Sequence, residues 1–244
     1  MKSELQKDDL AHYSLQSSVL AQTPLAAFER LFSHKARWYA RFLKGLMPQD
    51  RDALVLDIPC GHGVFLWFAT HAGYTNVRGY DVDPGRVEIA RNLGLPAELG
   101  DVRDVVASLD GTVGLIACLN FIEHIEKTEV CDFLSACHRA LRPGGVLLVK
   151  APFVDSILSS HDLANDFTHK WAVNSTVYRN LFLQVGFKDV MIKDERPVPY
   201  HTINRIRLVA FHVAKALTTL YFRLLGLAPP RVWSPSGWVI GKKT

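Results

Sequence analysis

"VLDIPCGHGVF" occupies residues 55–65. A hydrophobic run ends at an acid, Asp57, turns through Pro59 and the glycines Gly61 and Gly63, and enters an apolar stretch. A short strand that ends in a glycine loop and opens a helix brings exposed backbone close to a nucleotide-like ligand. The loop excludes two such ligands. A phosphate loop needs Lys followed by Ser or Thr after its last glycine, and Val64 and Phe65 stand there. A dinucleotide fingerprint needs a third glycine, and Leu66 stands there. Proline fixes φ near about −65° and has no N–H. Pro59 therefore neither adopts a positive φ nor donates to a ligand, and the permissive geometry falls to Gly61 and Gly63. That disfavours a loop that wraps phosphates with successive amides.

Working outward, brief apolar runs alternate with helical patterns. The runs are 53–58, 77–82, 113–119 and 145–151, each nearly continuous, as in strands buried on both faces of a parallel sheet. Helical stretches lie between them: 64–73 and 84–94, each closing on a glycine, and 127–145, closing on Arg142-Pro143-Gly144-Gly145. This is the βαβ rhythm of a doubly wound α/β domain. A core of 51–202 is expected to carry this rhythm, with a further helix at 174–186 and a strand at 187–195. Residues 1–50 contain no strand-like run and read as a helical segment or lid. An insertion at 203–236 precedes a last strand at 237–244.

The chain has 244 residues, 48% hydrophobic and 21% charged, which suits a single domain with a sizeable core. A net charge of +4 with scattered basic residues does not point to nucleic acid. The N-terminus mixes acids and bases without an apolar stretch, so no signal peptide is expected. The four cysteines, Cys60, Cys118, Cys131 and Cys137, have no zinc spacing and sit in or beside apolar segments. Reduced, buried thiols and a cytoplasmic location follow as expectations.

Four further stretches join the loop: "GYDVDP" after the second run, "ELGDVRD", "LIACLNFIEHI" and "RALRPGGVLLVKAP". Together they resemble, in order and spacing, the motifs of class I S-adenosylmethionine (SAM)-dependent methyltransferases over roughly residues 50–195. "DFTHKWAVNSTVYRNLFLQVGF" is similar to a tract found in ubiquinone-type and bacterial polysaccharide-pathway O-methyltransferases. The resemblance implies a Rossmann-like α/β fold, with a seven-stranded sheet in the order 3-2-1-4-5-7-6 and helices on both faces. It implies SAM as cofactor, with Asp57, Pro59, Gly61 and Gly63 in the loop and Asp81 on the ribose hydroxyls. Asp101 on the adenine amine, the adjoining Val82 and Val102, and Asn120 after strand four complete the set. Capping roles for Asp57 and Asp101 are the competing reading. Asp81 is harder to explain that way, since a buried strand-end carboxylate needs a partner.

The acceptor implied is a sugar hydroxyl of a glycan, glycolipid or nucleotide-linked sugar. The alternatives are a quinone-like phenol or other small metabolite, and a non-catalytic SAM-fold adaptor. A hydroxyl acceptor needs a base. Glu123-His124 and the stretch 160–171, with His161, Asp162, Asp166 and His169, supply candidates. His124 or His169 is expected to act as base, with Asp166 orienting it. His and carboxylate groups suit a divalent ion, but the spacing matches no metal motif, so none is expected. In 203–227 basic residues interrupt the apolar ones, so no run spans a bilayer, and there is no acid. Arg205, His212 and Arg223 fall near one helical face, away from Leu217, Leu220 and Leu224. Packing on the core, a homodimer contact and a peripheral membrane contact remain open for it.

Overall fold

The strands follow the apolar runs closely: β1 (Leu54–Asp57), β2 (Val77–Asp81), β3 (Ala97–Leu99), β4 (Val113–Leu119), β5 (Leu141–Pro152), β6 (Asp189–Asp194) and β7 (Ser236–Lys242). The computed structural model describes residues 18, 20, 22–156, 159–160, 164, 166–195, 197–199 and 201–244. The strands form one sheet in the order β3-β2-β1-β4-β5-β7-β6. All neighbours pair in parallel except β7, which runs antiparallel to both β5 and β6. The carboxyl ends of β1 to β6 therefore share one edge, and β7 begins at that same edge.

Helices α1 (Leu25–Phe42), α2 (Val64–His71), α3 (Pro84–Asn92), α4 (Val102–Ala107), α5 (Val130–Ala140), α6 (Ser175–Gln184) and α7 (Thr202–Leu224), with the short 3-10 turn Ile122–His124, complete the described elements. Alternation along β4 explains why its sequence is apolar throughout. Leu115 and Ala117 join a core layer with Phe32 of α1 and Leu66 of α2, while Ile116 and Cys118 join the opposite layer with Phe133 of α5 and Tyr178 of α6. Residues of opposite parity are buried on opposite faces, so no polar position is left.

Residues 25–42 of the N-terminal stretch form the helix α1, clamped by aromatic contacts. Trp38 stacks on Phe42 at 4.2 Å, Phe42 lies 5.2 Å from Trp238 of β7, and Lys193 of β6 sits 4.1 Å over the Phe42 ring. Cys60, Cys118 and Cys137 are buried thiols, and Cys131 is half-buried.

One expectation needs correction. The helix expected over 127–145 ends at Ala140, and β5 starts at Leu141, which pairs with Val113. Pro143-Gly144-Gly145 is thus not a helix cap but an irregularity within a strand. A Cβ on Gly145 would lie 2.8 Å from the Arg142 carbonyl and 2.9 Å from that of Val113, so only glycine lets the strand resume there. Of the three readings open for the insertion, packing of the apolar face on the core does not hold for α7, which buries only Asn204 and leaves Leu217, Leu220 and Leu224 exposed. No helix among the described residues is long and apolar enough to cross a membrane.

Candidate active site

Asp57 ends β1 fully buried, and the backbone amide of Leu66 in α2 favours its charged form. Burial, and then the charge of Asp81, push its carboxyl well above the usual carboxylate range. The loop that follows contains the cis peptide Ile58–Pro59, then Gly61 at φ 53° and Gly63 at φ 95°. The two glycines are required for different reasons. A Cβ on Gly61 would meet nothing within 4 Å, so this backbone borders open space. A Cβ on Gly63 would lie 2.5 Å from Leu95 Cδ1, so Gly63 serves the packing of α2 against the segment after α3. The open side of Gly61 leaves room beside the backbone, while the Cα of Gly63 is taken up by packing.

Asp81, at the end of β2, is 3% exposed and already has backbone partners. Its Oδ2 accepts from the Gly61 amide at 2.8 Å and its Oδ1 from the Asp83 amide at 2.9 Å. The expectation that only a ligand could satisfy it is corrected. A carboxylate has about four lone-pair sites, so two remain for a diol. Burial raises its pKa, and the two amide bonds oppose that rise.

Asp101 takes the capping role. It accepts from the Arg103 amide at 2.9 Å at the start of α4 and holds the Arg103 guanidinium at 3.1 and 2.8 Å. An adenine amine would have to share those oxygens. Val82 is partly exposed at the edge, whereas the Val102 side chain is buried in the core. Asn120, just past β4, holds φ 53°, a left-handed conformation that asparagine tolerates better than most residues.

The second half of the site joins two segments far apart in the chain. The short 3-10 turn Ile122–His124 follows β4, and residues 166–171 dock against it. The Lys170 amide donates to the Glu123 carbonyl at 2.9 Å, and Trp171 Nε1 donates to the Ile125 carbonyl at 2.9 Å. His124 and His169 thereby stand with ring centres 4.8 Å apart. His169 Nε2 lies 3.8 Å from Glu123 Oε1.

Thr168 links these groups. Its hydroxyl donates to Asp166 Oδ1 at 2.7 Å and lies 2.8 Å from His124 Nδ1. An ionised carboxylate only accepts, so the single hydroxyl proton points to Asp166 and the hydroxyl oxygen accepts from His124 Nδ1–H. That assignment puts the basic lone pair on Nε2. Burial, helped by the charge of His169, pulls the His124 pKa down to about 4. Asp166 is held below the usual carboxylate range: burial opposes this, but the hydroxyl and amide of Thr168 outweigh it. Of the other candidates, His161 and Asp162 lie outside the described residues. One ligand atom from each of Glu123, His124 and His169 falls within 4.8 Å of the others, a set that could hold a divalent ion.

Three participants were missed from the sequence. Thr168 lay inside a stretch read for its histidines and acids. His62, between the loop glycines, is covered by Phe28 and Phe32 of α1 at 5.6 and 5.7 Å, and burial lowers its pKa to about 4. Gly79 of β2 admits Leu66, whose Cδ1 would lie 2.5 Å from any Cβ there. The glycine on the strand facing the loop was its only signal.

The model of a family described as "methyltransferase domain" matches residues 28–192. Over 110 residues the chain is 31% identical to the ribosomal protein L11 methyltransferase of Porphyromonas gingivalis, covering 44% of this chain and 37% of that protein. Over 158 residues it is 27% identical to the tRNA U34 carboxymethyltransferase of Azotobacter vinelandii, covering 59% and 48%. The match thus spans less than half the length of either relative. Among solved structures, a SAM-dependent methyltransferase from Archaeoglobus fulgidus superposes with a TM-score of 0.64 at 22% identity, over 88% of this chain and 94% of that one. Phosphoethanolamine N-methyltransferase 2 of Haemonchus contortus, in complex with SAM, superposes with a TM-score of 0.57 at 16% identity, over 85% and 52%. At these identities the structures speak to the fold.

Proposed function

The chain belongs to the methyltransferase-domain family, and from that premise we propose that it is a SAM-dependent O-methyltransferase whose acceptor is a sugar hydroxyl of a glycan, glycolipid or nucleotide-linked sugar. The cofactor is SAM. Its fit rests on the open side of Gly61 and on Asp81, whose remaining lone pairs suit a ribose diol. When bound, SAM supplies a methyl group already activated on a sulfonium.

The acceptor chemistry rests on one observation, the Asp166–Thr168–His124 relay at the carboxyl edge of the sheet. A sugar hydroxyl keeps its proton in water, so methylating it requires a base placed at the oxygen. His124 is neutral above pH about 4, and the relay presents its Nε2 to accept. With SAM bound, methyl transfer to the hydroxyl oxygen would release the hydroxyl proton to His124 Nε2, and the imidazolium formed would replace the positive charge that the cofactor gives up. Asp166, through Thr168, stabilises the imidazolium and fixes its ring. Phe167, 95% exposed beside Thr168, offers a flat apolar surface on which a sugar ring could rest.

Incubation with methyl-labelled SAM and fractionated cell extract tests the reading. Label should enter a glycan or glycolipid pool and be stable to mild base, as an ether is and an ester is not. Label confined to protein or RNA would overturn it. The Glu123–His124–His169 cluster supports one second reading, in which a divalent ion rather than His124 lowers the hydroxyl pKa. Chelation separates the two: an unchanged rate favours the base, and a lost rate restored by added metal favours the ion.

A further inference from the structure

Helix α7 has 23 residues, a length of about 34 Å, and among them only Asn204 is buried. At 100° per residue, Ile206, Val209, Val213, Leu217, Leu220 and Leu224 fall within an arc of about 80°. All six are 53–77% exposed. The opposite side faces the body of the protein: Asn204 Nδ2 donates to the Val198 carbonyl at 3.2 Å, and Lys215 Nζ lies 5.7 Å over the Trp233 ring. The apolar stripe is therefore turned outward by the packing of the other face. It continues past the helix end through Leu225 and Leu227, 55% and 54% exposed.

Charge identifies what covers it. From residue 196 to residue 244 the chain carries no Asp or Glu, while Arg205, Arg207 and Arg223 stand on the helix itself. Arg207 projects beyond one margin of the stripe, and Arg205, His212 and Arg223 beyond the other. A second copy would bring an identical row of cations against this one. An apolar strip with cationic margins and no acid matches the boundary of an anionic lipid leaflet, where the stripe enters the acyl region and the guanidinium groups meet headgroups.

The place of the helix gives the contact a use. The insertion leaves from the end of β6 and returns at the start of β7, both at the carboxyl edge that carries Asp81 and His124. Its return is tied down there: Asp194 accepts from the Ser234 and Trp233 amides at 2.9 and 3.2 Å.

We propose that α7 is an interfacial membrane helix, which docks the enzyme on an anionic lipid surface with the acceptor edge beside it. Co-sedimentation of the full chain with vesicles tests this. Binding is expected to phosphatidylcholine vesicles containing phosphatidylglycerol at low ionic strength, to be at least 10-fold weaker on phosphatidylcholine alone, and to fall with added salt. The double substitution Leu217→Glu, Leu220→Glu should abolish it while leaving SAM affinity by calorimetry and Tm as they were, since neither side chain is buried. Arg205→Gln with Arg223→Gln should remove the preference for anionic lipid. No binding of the intact chain to anionic vesicles at low salt would overturn the proposal. So would a stable dimer in sedimentation velocity that the leucine substitutions dissociate. SAM binding is read separately, so failure of the lipid contact leaves the methyltransferase reading untouched.

Discussion

Asp81 accepts from the Gly61 amide, so under the proposed function its substitution acts on loop and ligand together. Asp81→Asn leaves one acceptor oxygen and turns an NH2 toward one of the two amides. Hydrogen bonds to a charged group contribute about 1.5–3 kcal/mol each, so SAM affinity should drop by roughly 10- to 100-fold for each one lost. Calorimetry alongside a melting curve checks it: a fall in Tm with unchanged affinity would confine Asp81 to the loop. Under the proposed function, His124 belongs to the chemistry instead. His124→Ala should lower kcat by about 10²- to 10⁴-fold with SAM affinity intact. The pH profile of kcat/KM carries a finer mark. With the His124 pKa at about 4, the acid limb should fall near pH 4 rather than near 6.5. His169 pushes that pKa down and Asp166 pulls it up, so His169→Gln should move the limb toward 6.5 and Asp166→Asn further below 4. Shifts in the opposite directions would remove His124 as the group that titrates. The histidines and Asp166 were legible in the sequence as a polar cluster after an apolar strand. The link through Thr168 was not, because it joins residues 44 positions apart and no local pattern encodes such a contact.

At the scale of elements, the glycine loop separates two roles that look identical in the sequence. Gly63→Ala places a methyl 2.5 Å from Leu95 Cδ1 at φ 95°. Left-handed strain and overpacking together cost about 2–4 kcal/mol, or roughly 4–16 °C in Tm for a domain of this size. Gly61→Ala meets no atom within 4 Å and bears only the strain of φ 53°. Its Tm should fall by less, about 2–8 °C, while its SAM affinity falls by more than that of Gly63→Ala. Parallel melting curves and calorimetry on the two variants check this, and equal losses in both measurements would deny the division. Strand positions were legible because burial on both faces leaves continuous apolar runs. The order of the strands was not contained in those runs and came from the resemblance of the motifs. The start of β5 was hidden for a related reason: Pro143-Gly144-Gly145 punctuates a strand irregularity as readily as a helix end, and only pairing with β4 decides. Periodicity showed that α7 has an apolar face but not which way it points. That depends on Asn204 and Lys215 finding partners on the body.

For the whole molecule, the buried titratable groups around the cofactor loop and the relay set how stability responds to pH. Burial lowers both His62 and His124 from 6.5 to about 4. A histidine whose folded pKa lies below its unfolded value binds its proton more readily in the unfolded chain. Its contribution to stability is therefore present above pH 6.5 and lost as pH falls through the folded value near 4. Each such group represents up to about 3 kcal/mol across that window. Asp57 and Asp81 act in the opposite sense. Their folded pKa values are raised, so the native state takes up protons first and gains stability as pH falls toward the ordinary carboxylate range. The two pairs partly cancel, which a single melting curve at neutral pH would not reveal. Separate variants expose each side. His62→Gln with His124→Gln should flatten the fall in Tm between pH 7 and pH 5, because the groups that the unfolded state protonates are gone. Asp81→Asn should steepen the fall as pH approaches the ordinary carboxylate range, because a group that opposes it is gone. Melting temperatures of the three proteins from pH 7 down to pH 4 provide the check. A parallel decline in all three would mean that acid sensitivity arises elsewhere in the fold. The same pairing bears on function, since a cofactor that engages ionised Asp81 should bind less tightly as pH falls and Asp81 takes up a proton, so the stabilisation it adds should shrink in acid.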